Sequence, residues 1–414
     1  MVIDIGRALP FFLVVLTLVF PLFDSSLYFG VLVLTSCLVS CWYLLISKWG
    51  FDANRKIIIA SLFILWVAST FGLYFVSVPA GLKLAANDLL EYIKLPYYLL
   101  LLIIFFKFFD RVDVNANKVF TLVFYLISVV AIFSFFSAEV ALLYTSPKMV
   151  HVGRLAAPFI NPYTLAFVMA FYVLYFYSGI VIGRNRAQDR VMSSIYFLTA
   201  FILLLLTQSR SIAFGLIIII AVTPLLLAMF FSKASRDIFG INILKVSLVV
   251  VVAVIGSYLS LEIMGLRYTA QLVNQIVNSG EIESGSVDVR LSQIYQVLDY
   301  FWDYPLGILF GFGPAKAEFR LLESGYAYIL FRHGLIGVII YSSLFVYMVR
   351  RSHWIFKNTG DPFFLGVFLF ILSCPLLLSS SMHIEHPKVS FIFIMLIAVT
   401  TCRSSHPVNH WSKI

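Results

Sequence analysis

Apolar runs of membrane-crossing length recur along this chain, near 9–23, 27–47, 57–78, 95–109, 119–137, 163–182, 192–207, 211–231, 243–261, 324–349, 363–381 and 389–402. A helix needs about 20 apolar residues to cross hydrocarbon, and it satisfies every backbone N–H and C=O within the segment. Runs this frequent in 414 residues leave only short connections. The predicted class is therefore all-α, a polytopic transmembrane helical bundle of about twelve helices forming a single membrane domain over 1–414. Composition points the same way, because 61% hydrophobic against 12% charged residues cannot cover a surface exposed to water. The run from Leu9 to Phe23 imitates a signal peptide, but no small-residue cleavage site follows it, so it is read as the first span.

Lysine and arginine alternate between connections. The even-numbered ones carry Lys48, Arg55 and Lys56; Lys107, Arg111 and Lys118; Arg184, Arg186 and Arg190; Lys233, Arg236 and Lys245; and Arg350, Arg351 and Lys357. The odd-numbered connections are poorer in basic residues per residue. Cytoplasmic loops attract positive charge, so both termini are expected in the cytoplasm. The net charge of +9 thus reports topology and not nucleic-acid binding. Cys37, Cys41, Cys374 and Cys402 all fall in apolar segments without zinc-type spacing, and no metal or cofactor is expected from them.

Two outward connections stand out, around 138–162 and over 262–322. The second is the long extracytoplasmic loop between the ninth and tenth spans. Within it, Val287, Leu291, Ile294, Tyr295, Leu298, Phe301 and Trp302 recur at helical spacing after a Gly/Ser-rich turn, which predicts an amphipathic helix on the membrane surface. Tyr304-Pro305-Leu306-Gly307 and Gly311-Phe312-Gly313-Pro314 then stop the helix and reverse the chain.

Three arginines sit on this outward side. Arg290 falls on the apolar stripe of the surface helix, Arg210 in the tight Thr207-Gln208-Ser209-Arg210-Ser211 link, and Arg154 in the His151 to Pro162 loop. Alone, each reads equally well as a helix-end anchor reaching toward lipid phosphate. Together on one face, planar and permanently charged guanidinium groups suit a lipid-linked phosphate or pyrophosphate. Glu323 stands at the mouth of the tenth span, either as a helix cap or as a carboxylate for a sugar hydroxyl. Arg332 and His333 continue into that span and call for internal pairing or a wet cavity. His383-Ile384-Glu385-His386 lacks the HExxH pattern, so no metal is expected there either. The chain contains no nucleotide-binding loop, dinucleotide fingerprint or nucleophile elbow.

These stretches resemble the O-antigen polymerase and ligase superfamily of membrane glycosyltransferases. The resemblance rests on Gly153-Arg154 through Phe159-Ile160-Asn161-Pro162, on Leu206-Thr207-Gln208-Ser209-Arg210-Ser211, on Arg290 followed by Pro305, Gly307, Gly311 and Gly313, and on Glu323-Ser324-Gly325-Tyr326 followed by Gly334-Leu335-Ile336-Gly337. It implies a bacterial inner-membrane enzyme whose substrate is undecaprenyl-pyrophosphate-linked oligosaccharide, with the lipid bilayer and a chain-length regulator protein as further partners and no cofactor. By this resemblance Arg210, Arg290 and Glu323 are the expected catalytic residues, and Arg154, Asn161, Tyr163, Tyr326 and His333 the substrate-binding ones. Ligases of the superfamily show His-Asn or His-Ser where this chain has Glu323-Ser324, which favours polymerase over O-antigen ligase. A transporter or flippase of lipid-linked oligosaccharide is the alternative of another class. It predicts paired halves and interrupted helices, and neither is read in this sequence apart from the charges at Arg332 and His333.

Overall fold

The computed structural model describes residues 5–20, 25–46, 50–82, 86–110, 114–147, 150, 153–182, 187–230, 285–315, 324–379 and 382–402. Among these the architecture is entirely helical: α1 (Ile5–Val19), α2 (Ser25–Ile46), α3 (Ala53–Gly72) running into a π-turn (Leu73–Ser77), α4 (Ala86–Phe109), α5 (Ala116–Phe136), α6 (Ala138–Leu142), α7 (Pro162–Val181), α8 (Ala187–Leu206), α9 (Arg210–Phe230), α10 (Gly285–Asp303), α11 (Leu306–Phe310), α12 (Gly325–Thr359), α13 (Pro362–Leu378) and α14 (Pro387–Cys402). Seven helices among the described residues are long and apolar enough to cross a membrane. The predicted ninth span at 243–261 and Glu323 lie outside the described residues.

The chain forms two compact units, one of residues 1–130, 289–351 and 381–414, the other of residues 131–288 and 352–380. In the first, α4 is the hub, packed by α1, α2, α3 and α14. Its inward residues Tyr97, Phe105, Phe106 and Phe108 are fully buried, and Phe105 meets Phe391 of α14 edge-on at 5.1 Å. In the second, α7 is the hub, packed by α8, α9 and α13. A helix apolar on every face can be buried on every face, and 94% of the α7 span is buried. Close approach of α13 depends on Gly366, where an added Cβ would come within 2.6 Å of the Tyr175 Cα.

The run read from the sequence as the tenth span is interrupted, contrary to the sequence expectation. At Gly334 the backbone of α12 turns to φ 58°, ψ −157°. That break frees carbonyls that would otherwise accept from the next turn. Phe331 O instead accepts from Phe312 N at 2.6 Å, and Arg332 O from Gly313 N at 3.1 Å. The Gly311-Phe312-Gly313 turn therefore caps the broken helix. Gly311 has φ 69°, and a Cβ on it would lie 2.5 Å from the carbonyl carbon of Arg332. Left-handed φ and contact with backbone both demand glycine there. Gly311→Ala is expected to cost about 3 kcal/mol, read as a lower melting temperature of the purified protein. A melting temperature equal to wild type would show that the turn does not hold the break.

The long-loop helix α10 has three faces. Val297 and Phe301 turn inward and join Phe312, Phe331, Ala327 and Val76 in one core. Leu291, Tyr295, Leu298 and Trp302 form an exposed apolar flank. Asp288, Ser292, Gln296, Asp299 and Asp303 form an exposed polar flank. The apolar stripe read from the sequence thus splits, with Ile294 and Phe301 facing the protein and the remainder of its described residues facing out.

Candidate functional site

In the second unit the loop bearing Arg154 is stitched to the turn between α8 and α9. Leu155 N donates to Leu206 O at 3.0 Å, and Gln208 Nε2 donates to Gly153 O at 3.4 Å. The Arg154 guanidinium is buried, donating from Nε to Thr207 O at 3.1 Å and from Nη2 to Gln208 O at 3.5 Å. Its Cζ lies over the Tyr163 ring, 4.7 Å from the centroid, and Nη1 reaches the Tyr163 hydroxyl at 3.5 Å. Arg154 also lines a cavity of about 240 Å³ together with Ser134, Phe135, Thr145 and Gly153. Gln208 takes a positive φ of 54°, a costly conformation for a residue with a side chain, and it lets the chain turn directly into α9.

Arg210 is the first residue of α9 and half-buried. A cation at the positive end of a helix dipole opposes the dipole by up to about 1 kcal/mol. An anion arriving there would meet both the guanidinium and the N–H groups of the first turn. Asn161 caps α7, its side-chain oxygen accepting from Thr164 N at 2.8 Å and from Thr164 Oγ1 at 2.6 Å.

The first unit contains a buried charge network around the break in α12. Arg332 Nη1 donates to Glu91 Oε2 at 2.5 Å and to Glu385 Oε2 at 2.7 Å, while Nη2 donates to Glu91 O at 2.5 Å. Lys94 Nζ donates to Glu91 Oε1 at 2.5 Å. Glu385 also accepts from Tyr328 at 2.8 Å, Tyr341 at 2.9 Å and His333 Nε2 at 2.8 Å. An ionised carboxylate only accepts, so His333 donates from Nε2 to Glu385, and its Nδ1 shares a hydrogen bond with the Ser69 hydroxyl at 2.8 Å. Two cations, Arg332 and Lys94, balance two carboxylates, Glu91 and Glu385, in this cluster. The Ser69–His333–Glu385 order resembles a nucleophile relay, but Ser69 is only 3% exposed, which bars substrate from its hydroxyl.

Tyr326, at the start of α12, is exposed, and Ser324 just before it donates its amide to Gln293 of α10 at 3.2 Å. Arg290 lies one turn back from Gln293, half-buried, with its Nε enclosed and without a hydrogen-bond partner. Glu91 escaped the sequence reading, and Glu385 entered it only as part of the rejected metal pattern at His383 to His386. The signal was present: an arginine inside an apolar span requires a carboxylate, and these are carboxylates embedded in or between apolar helices. Among the described residues no group of three metal-ligating side chains occurs.

His383, in the short turn before α14, is buried, and its ring is pushed from an ordinary value near 6.5 down to about 3, by burial first and by Arg290 second. Glu385 is raised by burial, but Arg332, then His333 and Lys94, pull it back further, so it ionises well below the usual carboxylate range. The unfolded chain protonates His383 near pH 6.5 and the folded chain does not until about pH 3, so stability falls as pH drops through that interval. The Glu385 contribution is lost only below about pH 4.5, leaving the upper part of the interval to His383. Between pH 6.5 and 5 the wild type should lose about 2 kcal/mol that His383→Gln does not lose. Parallel melting curves for the two proteins across that range would remove this assignment.

No protein-family model matches the chain, and no curated protein matches it. The functional reading therefore rests on the two sites and on the motif resemblance.

Proposed function

We propose that this chain polymerises undecaprenyl-pyrophosphate-linked oligosaccharide repeat units into a surface polysaccharide on the outer face of the bacterial inner membrane. A hydroxyl of one lipid-linked oligosaccharide attacks the anomeric carbon of a second. A new glycosidic C–O bond forms, the bond to pyrophosphate breaks, and undecaprenyl pyrophosphate leaves with the electron pair. The observation that carries the reading is the docking of the Arg154 loop onto the Thr207–Arg210 turn beside the 240 Å³ cavity. Those hydrogen bonds join two separate stretches of the resemblance, and that Arg210 serves the same site as Arg154 is part of the proposal. Arg154 and Arg210 neutralise the departing pyrophosphate, the step where charge develops, and Arg290 in the other unit carries the same expected chemistry. Glu323 takes the acceptor proton, and Tyr163 and Tyr326 contribute aromatic faces for sugar stacking. About twelve spans with cytoplasmic termini and association with a chain-length regulator belong to the same proposal.

A transporter or flippase of lipid-linked oligosaccharide is the second reading, favoured by the interruption at Gly334 flanked by buried Arg332 and His333. The charge balance of that cluster and the engagement of both His333 ring nitrogens weigh toward a structural role for it. The discriminating experiment reconstitutes the full chain in liposomes with lipid-linked repeat units. A ladder of longer chains on the polyprenyl carrier supports polymerisation. Translocation without lengthening supports transport and overturns the polymerase, and transfer to lipid A core identifies a ligase.

A further inference from the structure

The cavity of about 240 Å³ beside the Arg154 loop lies wholly within the second unit, walled by the end of α5, by α6 and by the loop itself. Ala141, Thr145 and Ala156 are buried and form its floor, whereas Phe135, Ala138 and Gly153 are exposed and mark its mouth. Pockets for drug-sized ligands enclose about 300–1,000 Å³. A space of about 240 Å³ therefore suits a single sugar ring and is too small for an oligosaccharide.

The polar side chains that line it are of two kinds. Arg154 can only donate. Ser134 and Thr145 carry hydroxyls whose protons are already committed to the backbone, Ser134 Oγ to Ala131 O at 2.8 Å and Thr145 Oγ1 to Ile160 O at 2.7 Å. What either hydroxyl still offers a ligand is a lone pair. A pyrophosphate diester carries no proton near neutral pH and has nothing to give those oxygens. A sugar hydroxyl both donates and accepts, so one ring can answer the two oxygens and the guanidinium together. The rest of the lining is small and apolar, with the Phe135 ring at the mouth, which suits the C–H faces of a pyranose.

We propose that this cavity is the subsite for one neutral sugar ring, the ring bonded to the carrier pyrophosphate. Ser134 and Thr145 accept from its hydroxyl or amide protons, and Ala138 and Ala141 limit the space to that ring. The motif resemblance assigns none of these four residues. That the sugar is carrier-linked rests on the polymerase reading, but the preference for a ring over a phosphate is tested without polymerisation.

The reporter is Ala141→Cys in the full chain purified in a neutral detergent. Its thiol is reacted with methyl methanethiosulfonate, and modification is followed peptide by peptide, apart from the four native cysteines. The probes are farnesyl pyrophosphate alone and farnesyl pyrophosphate carrying one glucose, one galactose or one of their 2-acetamido counterparts. At least one sugar-bearing probe should slow modification saturably, and farnesyl pyrophosphate alone should not. Leu143→Cys, exposed and outside the cavity lining, should react at one rate throughout. Ala138→Phe at the mouth should raise the half-protecting concentration about tenfold or more, and Ser134→Ala, which removes one acceptor and little volume, about fivefold. Equal protection by farnesyl pyrophosphate alone would make the cavity a phosphate site, and equal protection by free sugar would make it a site for unlinked sugar. Either result overturns the proposal, as does an unprotected thiol with every sugar-bearing probe. Protection in a protein that makes no polymer would keep the subsite and discard the polymerase reading, whereas polymer without protection would do the reverse.

Discussion

Arg332→Ala is expected to deplete the protein from the membrane, because it leaves two buried carboxylates, Glu91 and Glu385, facing each other without their shared cation. Breaking a buried ion pair by removing one partner costs about 3–5 kcal/mol, a large part of the stability of an ordinary domain. Glu385→Ala should be nearly as severe, since it strips acceptors from Arg332, Tyr328, His333 and Tyr341 at once. Arg332→Lys keeps the charge but cannot span Glu91 O and both carboxylates, so it should fall between wild type and Arg332→Ala. Membrane-fraction abundance and the melting temperature of whatever protein is recovered provide the measurement. Wild-type abundance with a melting temperature within about 2 °C would mean that the network contributes little.

Arg210→Ala should behave in the opposite way, inserting and folding normally while losing polymer. Arg210 starts α9 against the helix dipole, so its removal costs no stability of that kind, whereas loss of one preorganised charge at a departing pyrophosphate lowers turnover by about 100-fold or more. Arg290→Ala should lose polymer likewise. Arg154→Ala should lose both polymer and some stability, because the same guanidinium staples the loop to Thr207 and Gln208. Lys48→Ala, in a cytoplasmic connection by its charge pattern, should leave polymer length and yield unchanged. Abundant, normal-length polymer from Arg210→Ala and Arg290→Ala would refute their assignment to the pyrophosphate.

The contrast between these variants follows from what composition can and cannot reveal. The run at 163–182 was legible almost to the residue, because Asn161 and Pro162 are start signals and, Thr164 and Ser178 apart, the positions that follow are apolar or aromatic. The run read as 95–109 begins instead at Ala86, since Asp88, Glu91 and Lys94 interrupt the apolar pattern yet are helical. Glu91 is held by Arg332, more than two hundred positions away in the chain, and no local window contains that information. The break at Gly334 was hidden for the same reason. Glycine is present in the sequence, but only the packed Gly311–Gly313 turn shows why the helix opens there. At the candidate site, Arg154, Tyr163 and the Thr207–Arg210 turn were picked out individually, and folding joins them through backbone carbonyls, which leave no trace in residue identity.

The central claim is that this chain makes a glycosidic bond at the expense of a lipid pyrophosphate linkage. Purified protein given lipid-linked repeat units should release one undecaprenyl pyrophosphate for each glycosidic bond formed, with no other protein or nucleotide added and with both products lost together in Arg210→Ala. Carrier release without chain growth, or no release alongside measurable translocation of intact lipid-linked oligosaccharide, would contradict it.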